Sequence, residues 1–148
     1  MTQWEIKKFE ELGVTELYEI LRVRQEVFVV EQNCPYQDAD SLDDVSWHLY
    51  TRDEKSGSIL AYLRITFAGH KYDETSIGRV LTTDAARGMG LGKALIQAAM
   101  DFLQEELPDQ KIRISAQLYL QKFYEDFGFN VVSEPYDEDD IPHIEMLS

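Results

Sequence analysis

The sequence predicts a single α/β domain, spanning residues 1–148, in which a mixed and mostly antiparallel sheet is flanked by helices. The length of 148 residues and the hydrophobic content of 44% are sufficient for one buried core. Segments with strand and helix periodicity follow one another in the order β, α, β, β, β, α, β, α, β, β. A glycine-rich stretch between a strand and a helix is the third observation, and the rest of the chain is arranged around it.

The N-terminal half is predicted to form a strand, a helix and a hairpin. Residues 3–9 alternate imperfectly with a period of two, as in a strand. From Thr15, a plausible N-cap, apolar residues recur at a spacing of three and four, which indicates a helix ending near Glu31. Residues 45–51 and 59–67 are rich in β-branched and aromatic residues and are joined by a polar turn, so they predict an antiparallel hairpin.

The C-terminal half is predicted to alternate strands and helices. Pro108 is expected to stop the longer helix, and Gly128 to cap the shorter one. The expected elements are a strand over 77–83, a helix over 90–106, a strand over 111–116, a helix over 118–127, and strands over 129–133 and 143–147.

The glycine-rich stretch is predicted to bind an anion. Glycines at 88, 90 and 92 allow positive φ, and the helix that follows offers unpaired N–H groups at its positive end. A Walker A loop is excluded, because Arg87 stands where it needs glycine and Ala94 where it needs a hydroxyl. A dinucleotide fingerprint fits poorly, since the third glycine comes one position early.

Charge and composition exclude several classes of partner. Lys and Arg total 14 against 28 Asp and Glu, a net charge of -14, which disfavours nucleic acid and favours cations such as amines. From composition alone, a solvated acidic surface explains the same charge better. No apolar run is long enough to span a membrane, the start has no signal-peptide core, and Cys34 is a lone cysteine. These features predict a cytoplasmic protein.

Three segments resemble the GNAT N-acetyltransferase superfamily. Arg87, Gly90 and Gly92 match the Arg-x-x-Gly-x-Gly loop that holds the acetyl-CoA pyrophosphate in that family. Residues 117–129, QLYLQKFYEDFGF, resemble the family segment that ends in Phe-Tyr and then Gly-Phe, and residues 24–48 resemble the ElaA-like branch. The resemblance implies an acetyl-CoA-dependent N-acetyltransferase that acts on a primary amine of a small molecule or peptide, by direct attack in a ternary complex.

The resemblance also implies which residues hold acetyl-CoA. Backbone groups of a locally splayed strand would bind the pantetheine arm, and the loop N–H groups, with the Arg87 and Lys93 side chains, would bind the pyrophosphate. Gln117 stands where asparagine is common, and its amide can also bond a pantetheine carbonyl. The implied set is Val80, Leu81, Thr82, Arg87, Gly88, Met89, Gly90, Leu91, Gly92, Lys93 and Gln117.

Tyr124 matches the family tyrosine near the CoA sulfur and is the expected general acid, since a phenol is protonated at neutral pH. The general base is open: Glu31, His48, and Asp38 or Asp43 through water are candidates, although each also suits a structural or solvated position. Solvent alone could deprotonate a weakly basic amine.

The remaining polar residues predict no further chemistry. Cys34 is expected to be a structural thiol, and His70 and His143 lack metal-ligand spacing, so no metal is expected. Two alternatives stay open: an acyl-homoserine-lactone type of acyltransferase and a non-catalytic acyl-CoA-binding module. A second copy of the chain also stays open as a partner.

Overall fold

The computed structural model of the chain describes residues 2–148. It contains one eight-stranded sheet and three α-helices within those residues. The strands are β1 (Glu5–Lys8), β2 (Ser46–Arg52), β3 (Ile59–Thr66), β4 (Thr75–Thr82), β5 (Ile112–Gln117), β6 (Asn130–Val131), β7 (Tyr136–Glu138) and β8 (Ile141–Leu147), and the helices are α1 (Val14–Arg24), α2 (Leu91–Glu106) and α3 (Gln121–Glu125).

The sheet is mixed and mostly antiparallel, as the sequence predicted. Its strand order is β1-β2-β3-β4-β5-β8-β6, and β7 pairs with β8 beside this path. The pair β4–β5 is parallel, and the other pairs are antiparallel. The predicted hairpin is confirmed as β2–β3, with Leu49 opposite Leu63. Among residues 2–148, no helix has the length and apolar character needed to cross a bilayer.

Helices cover both faces of the sheet. The apolar side of α2, including Leu95 and Ala99, packs in one buried cluster with Leu63 of β3. On the opposite face, Ile20 of α1 packs in a second cluster with Tyr62 of β3. Neighbouring residues of β3 serve the two clusters because successive side chains in a strand point to opposite faces. The sheet therefore separates two small cores.

The first helix differs from its prediction at both ends. Gly13 is the N-cap, and its N–H donates to the Glu16 carboxylate at 2.9 Å, so Thr15 lies inside the helix. After Arg24 the chain continues as a π-helix over Gln25–Glu31. Cys34 N–H donates to Val29 O at 3.1 Å, five residues back. Apolar spacing alone does not separate a π-turn from an α-turn.

The C-terminal region also differs from its prediction. The strand expected over 129–133 is reduced to β6, and β7 was not predicted. β7 and β8 form a hairpin through Asp139 and Asp140, which have φ values of 51° and 63°. Aspartate tolerates positive φ at such turns, so the acidic run over residues 137–140 contains a turn between strands. The helix expected over 118–127 is a 3₁₀ turn, Leu118–Leu120, followed by α3.

Candidate active site

A cleft opens where β4 and β5 diverge. The two strands pair only at Thr75–Ile112 and Ser76–Arg113, and beyond these pairs they separate. The space between them is a cleft of about 370 Å³. Its walls include residues 77–82 of β4 and 114–117 of β5. A splayed parallel pair of this kind exposes backbone groups that a ladder would otherwise use.

A bulge in β4 adds further exposed backbone on the cleft wall. Leu81 pairs with Tyr62 and Gly78 with Arg64, so Arg79 and Val80 together stand opposite one residue of β3. Arg79 has a φ of 51°. A bulge leaves the extra residue outside the hydrogen-bond ladder. Val80, Leu81 and Thr82, the residues expected to bind a pantetheine arm, all line the cleft at this point.

Arg79 is held in its left-handed conformation by two aspartates. Its Nε donates to Asp38 Oδ1 at 2.9 Å, and its Nη2 lies 3.3 Å from Asp40 Oδ2. The guanidinium also lies over the Tyr36 ring, 5.5 Å from its centroid. A non-glycine residue with positive φ is costly by itself. The loop before β2 therefore stabilises the bulge through side chains far away in sequence.

The same aspartates belong to a buried network with two further arginines. Arg24, which is fully buried, contacts Asp38 Oδ2 at 3.0 Å and Asp43 Oδ1 at 2.6 Å. Arg64 contacts Asp43 Oδ1 at 3.0 Å. Burial opposes ionisation of Asp43, but the two arginines outweigh it and hold the pKa of its carboxyl below the usual range. Asp38 and Asp43 are thus occupied as counter-ions, which corrects their prediction as bases.

His48 is also removed from the candidate bases by its position. The residue is fully buried in β2. Its Nδ1 lies 2.7 Å from the Tyr62 hydroxyl, and its Nε2 lies 2.9 Å from the carbonyl oxygen of Asp43. Burial lowers the pKa of the imidazole. Because both ring nitrogens are used and the side chain lies outside the cleft wall, His48 is a structural residue.

The glycine loop has the form expected of an anion site. Gly88 and Gly90 have φ values of 88° and 72°, and Gly90 is the N-cap of α2. A Cβ built on Gly88, Gly90 or Gly92 would meet no atom within 4 Å, so the space above the loop is open. The first-turn N–H groups of α2 lack intrahelical partners, and this end of the helix carries partial positive charge. The predicted set also includes Met89, Leu91 and Lys93, and of these the Met89 N–H donates to Ala86 O at 3.3 Å.

Arg87 lines the cleft beside this loop and is paired with Glu31. Its Nη2 lies 2.5 Å from Glu31 Oε1 and donates to Thr82 O at 3.1 Å. Glu31 ends the π-helix and does not line the cleft. The contact therefore places Glu31 beside the glycine loop and away from the cleft wall, and its role as a base stays a prediction.

Tyr124 and Gln117 both line the cleft from the β5 side. Gln117 is the last residue of β5, and Tyr124, in α3, is only 6% exposed. The Tyr124 ring packs edge-on against Phe123 and Phe129. Burial raises the pKa of Tyr124 to about 12, with a smaller contribution from Tyr119. The phenol therefore keeps its proton at neutral pH, as a general acid requires.

Two further residues reach the cleft in ways that the sequence did not indicate. His143 lines the cleft from β8, opposite Gln117 in the β5–β8 ladder, although spacing had considered it only as a metal ligand. Its position in a predicted strand could have indicated this, because that strand, β8, pairs with β5, which ends at Gln117. Cys34 is buried, and its Sγ lies 3.3 Å from Asp139 O. Burial and nearby carboxylates raise the pKa of the Cys34 thiol.

No set of three or more His, Cys, Asp and Glu side chains that could hold a metal ion occurs within residues 2–148.

Comparison with known proteins relates the whole chain to one family. Residues 28–147 match the profile of a family described as acetyltransferase (GNAT) domain. Protein ElaA of Escherichia coli is 40% identical over 146 residues, which cover 99% of this chain and 95% of ElaA. The crystal structure of an acyl-CoA N-acyltransferase from Pseudomonas aeruginosa superposes with a TM-score of 0.93 and 43% identity, covering 99% of each chain.

An acyl-homoserine-lactone synthase, BjaI, is related more distantly. Its structure superposes with a TM-score of 0.80 over 99% of this chain and 82% of its own, at 14% identity. That identity shows a shared fold and carries no statement about the reaction.

Proposed function

Because this chain belongs to the acetyltransferase (GNAT) domain family, in its ElaA-like branch, we propose that it transfers an acetyl group from acetyl-CoA to a primary amine. The amine belongs to a small molecule or a peptide and attacks directly in a ternary complex. The observation that carries the proposal is the cleft between the diverging strands β4 and β5, which runs past Arg87 and is walled by Tyr124. The fold of the family supports binding of an acyl-CoA. The choice of acetyl-CoA among acyl-CoA molecules is part of the proposal.

The cleft offers groups suited to each part of an acyl-CoA. The start of α2 and the open space above Gly88 and Gly90 suit a pyrophosphate, which needs N–H donors and no side chains in the way. Arg87 adds a guanidinium that can leave Glu31 for phosphate oxygens. Along the bulge in β4, backbone groups of Val80 and Leu81 suit the amide-containing arm.

The chemistry requires the loss of a proton from the amine and the gain of one by the departing thiolate. Tyr124 suits the second role, because burial keeps its phenol protonated at neutral pH. Backbone N–H groups at the bulge suit stabilisation of the negative charge that develops on the carbonyl oxygen. Bound acyl-CoA supplies the activated carbonyl, and these residues orient it and manage the protons.

The proposal is tested by mixing the purified chain with acetyl-CoA and a panel of alkylamines, amino acids, polyamines and lysine-containing peptides, with free thiol as the readout. Amine-dependent thiol release that falls in the Arg87→Ala and Tyr124→Phe variants supports it. Tight binding of acetyl-CoA without thiol release for any amine would instead indicate a non-catalytic binding module.

The net charge of -14 supports a cationic acceptor and argues against nucleic acid as a partner. We place the reaction in the cytoplasm, which the single free cysteine supports. Homodimerisation is an open part of the proposal, and gel filtration of the purified chain would test it.

A further inference from the structure

His143 is a nearly buried titratable residue on the wall of the cleft that the roles above do not use. It is 7% exposed and lies in β8 opposite Gln117. Tyr124, the proposed acid, lines the same cleft. The imidazole and the phenol therefore line one cleft, the cleft in which the proposed function brings the amine to the acyl group.

The hydrogen bonds of His143 determine which ring nitrogen is free. Nδ1 lies 2.6 Å from the carbonyl oxygen of Ile141, and because a carbonyl only accepts, Nδ1 must carry a hydrogen and donate it. In the neutral ring, Nε2 is then a bare acceptor. The hydrogen bond to Ile141 O thus leaves Nε2 as the ring nitrogen that can exchange a proton with a ligand.

Nε2 faces a carboxylate. It lies 3.4 Å from Glu138 Oε2, and Glu138 also lines the cleft, with 45% of its side chain exposed. Two acceptors this close repel one another unless a proton or a cation lies with them. A primary ammonium has three N–H donors and one positive charge, so it can pair with Glu138 and point a second N–H toward Nε2.

The surrounding contacts hold this pair in place. The Tyr136 ring stacks on His143, with centroids 6.3 Å apart and an interplanar angle of 25°. The Tyr136 hydroxyl lies 2.5 Å from Ser115 Oγ of β5, which ties the hairpin to the cleft floor. The other charged side chains that line the cleft are Lys71, Arg79, Arg87 and Asp139.

We propose, on the basis of the proposed acetyl transfer, that His143 is the general base and that Glu138 holds the acceptor ammonium beside it. Nε2 takes one proton from the ammonium, and the neutral amine then attacks the thioester carbon. A C–N bond forms, the C–S bond breaks, and Tyr124 gives its proton to the departing thiolate. The nitrogen's second proton returns to the phenolate through solvent, and the proton on His143 leaves to solvent. The net release is one proton per turnover.

Turnover tests the base directly, with acetyl-CoA and the fastest amine of the panel. His143→Gln is expected to lower kcat/KM for the amine about 10²-fold or more at pH 7, the usual effect of losing a general base. The deficit should shrink as pH rises toward about 10, where an alkylamine deprotonates without help. Affinity for acetyl-CoA should stay within about twofold. His70→Gln, an exposed histidine outside the cleft wall, is the matched control.

A second variant separates a base from a packing role. In His143→Ala, added imidazole should restore part of the activity, because it can occupy the vacated space. A loss that is equal at every pH and not rescued by imidazole would overturn the proposal, and so would activity equal to that of His70→Gln. Activity of the wild type on amines tests the proposed function independently of His143. Failure of the base assignment can therefore be distinguished from failure of the proposed function.

A binding measurement covers the case in which no panel amine turns over. Butylammonium chloride should shift the nitrogen resonance of His143 Nε2 in the wild type and leave it unchanged in Glu138→Gln, whose exposed side chain allows normal folding. A wild-type resonance that does not respond to butylammonium would also overturn the proposal.

Discussion

Replacing Tyr124 by Phe removes a proton donor from the cleft wall while keeping the packing of the ring. The edge-on contacts of the ring with Phe123 and Phe129 do not involve the hydroxyl. The free energy of unfolding should therefore change by no more than about 1 kcal/mol, the usual net contribution of one hydrogen bond. The acetyl-CoA dissociation constant should change little for the same reason.

Turnover should respond much more strongly. Because burial raises the pKa of Tyr124 to about 12, the phenol is fully protonated at pH 7, and its loss leaves the thiolate to be protonated by water. We expect kcat to fall at least about tenfold, equivalent to about 1.4 kcal/mol in activation free energy. General acids typically contribute about 10²- to 10⁴-fold, so a larger fall is also consistent.

The assay measures initial rates of thiol release under saturating acetyl-CoA and amine, with calorimetry for acetyl-CoA binding. Tyr119→Phe is the matched control, since Tyr119 lines the same cleft but is 79% exposed. An unchanged kcat in Tyr124→Phe, or the same loss in both variants, would refute the role of the buried phenol.

Three further variants, two of them with a matched control variant, test the loop and the fold. Arg87→Ala should raise the KM for acetyl-CoA several-fold with little change in kcat, whereas Arg22→Ala, whose exposed partner is Glu26, should change neither in steady-state assays. Gly90→Ala should lower the free energy of unfolding by about 1–2 kcal/mol because φ is 72°, while Gly92→Ala, in the first turn of α2 without positive φ, should not; chemical denaturation measures both. The Glu16 pKa is lowered to about 2, first by its hydrogen bond with Lys7, so its stabilisation is present above its ordinary value of 4.5 and is lost as pH falls toward 2. Glu16→Gln should therefore be less stable than wild type at pH 7 and equal to it near pH 2, and equal stability at both pH values would contradict this.

The elements that could be predicted are those whose signals are local. Alternating apolar residues and a polar turn are enough to predict β2 and β3. The apolar face of α2 begins directly after Gly90, which is the N-cap of the helix. The π-helix over Gln25–Glu31 and the short strand β7 have no comparable signals. A π-turn shares its apolar spacing with an α-helix, and β7 is too short and acidic to show a strand pattern.

The same distinction between local and long-range signals applies to the candidate site. The proposed pyrophosphate loop consists of consecutive backbone groups around Arg87 and Gly90, so a short sequence motif is enough to predict it. The buried ion pairs of Arg24, Asp38 and Arg79, which support the bulge in β4, join residues far apart in sequence and cannot be deduced from spacing. For the same reason, Asp38 and Asp43 of the acidic loop over residues 38–44 resemble candidate bases in the sequence. Its carboxylates are numerous, but the arginines that neutralise them come from other elements, and His143, the proposed base, lies in a strand whose sequence pattern indicates no catalytic role.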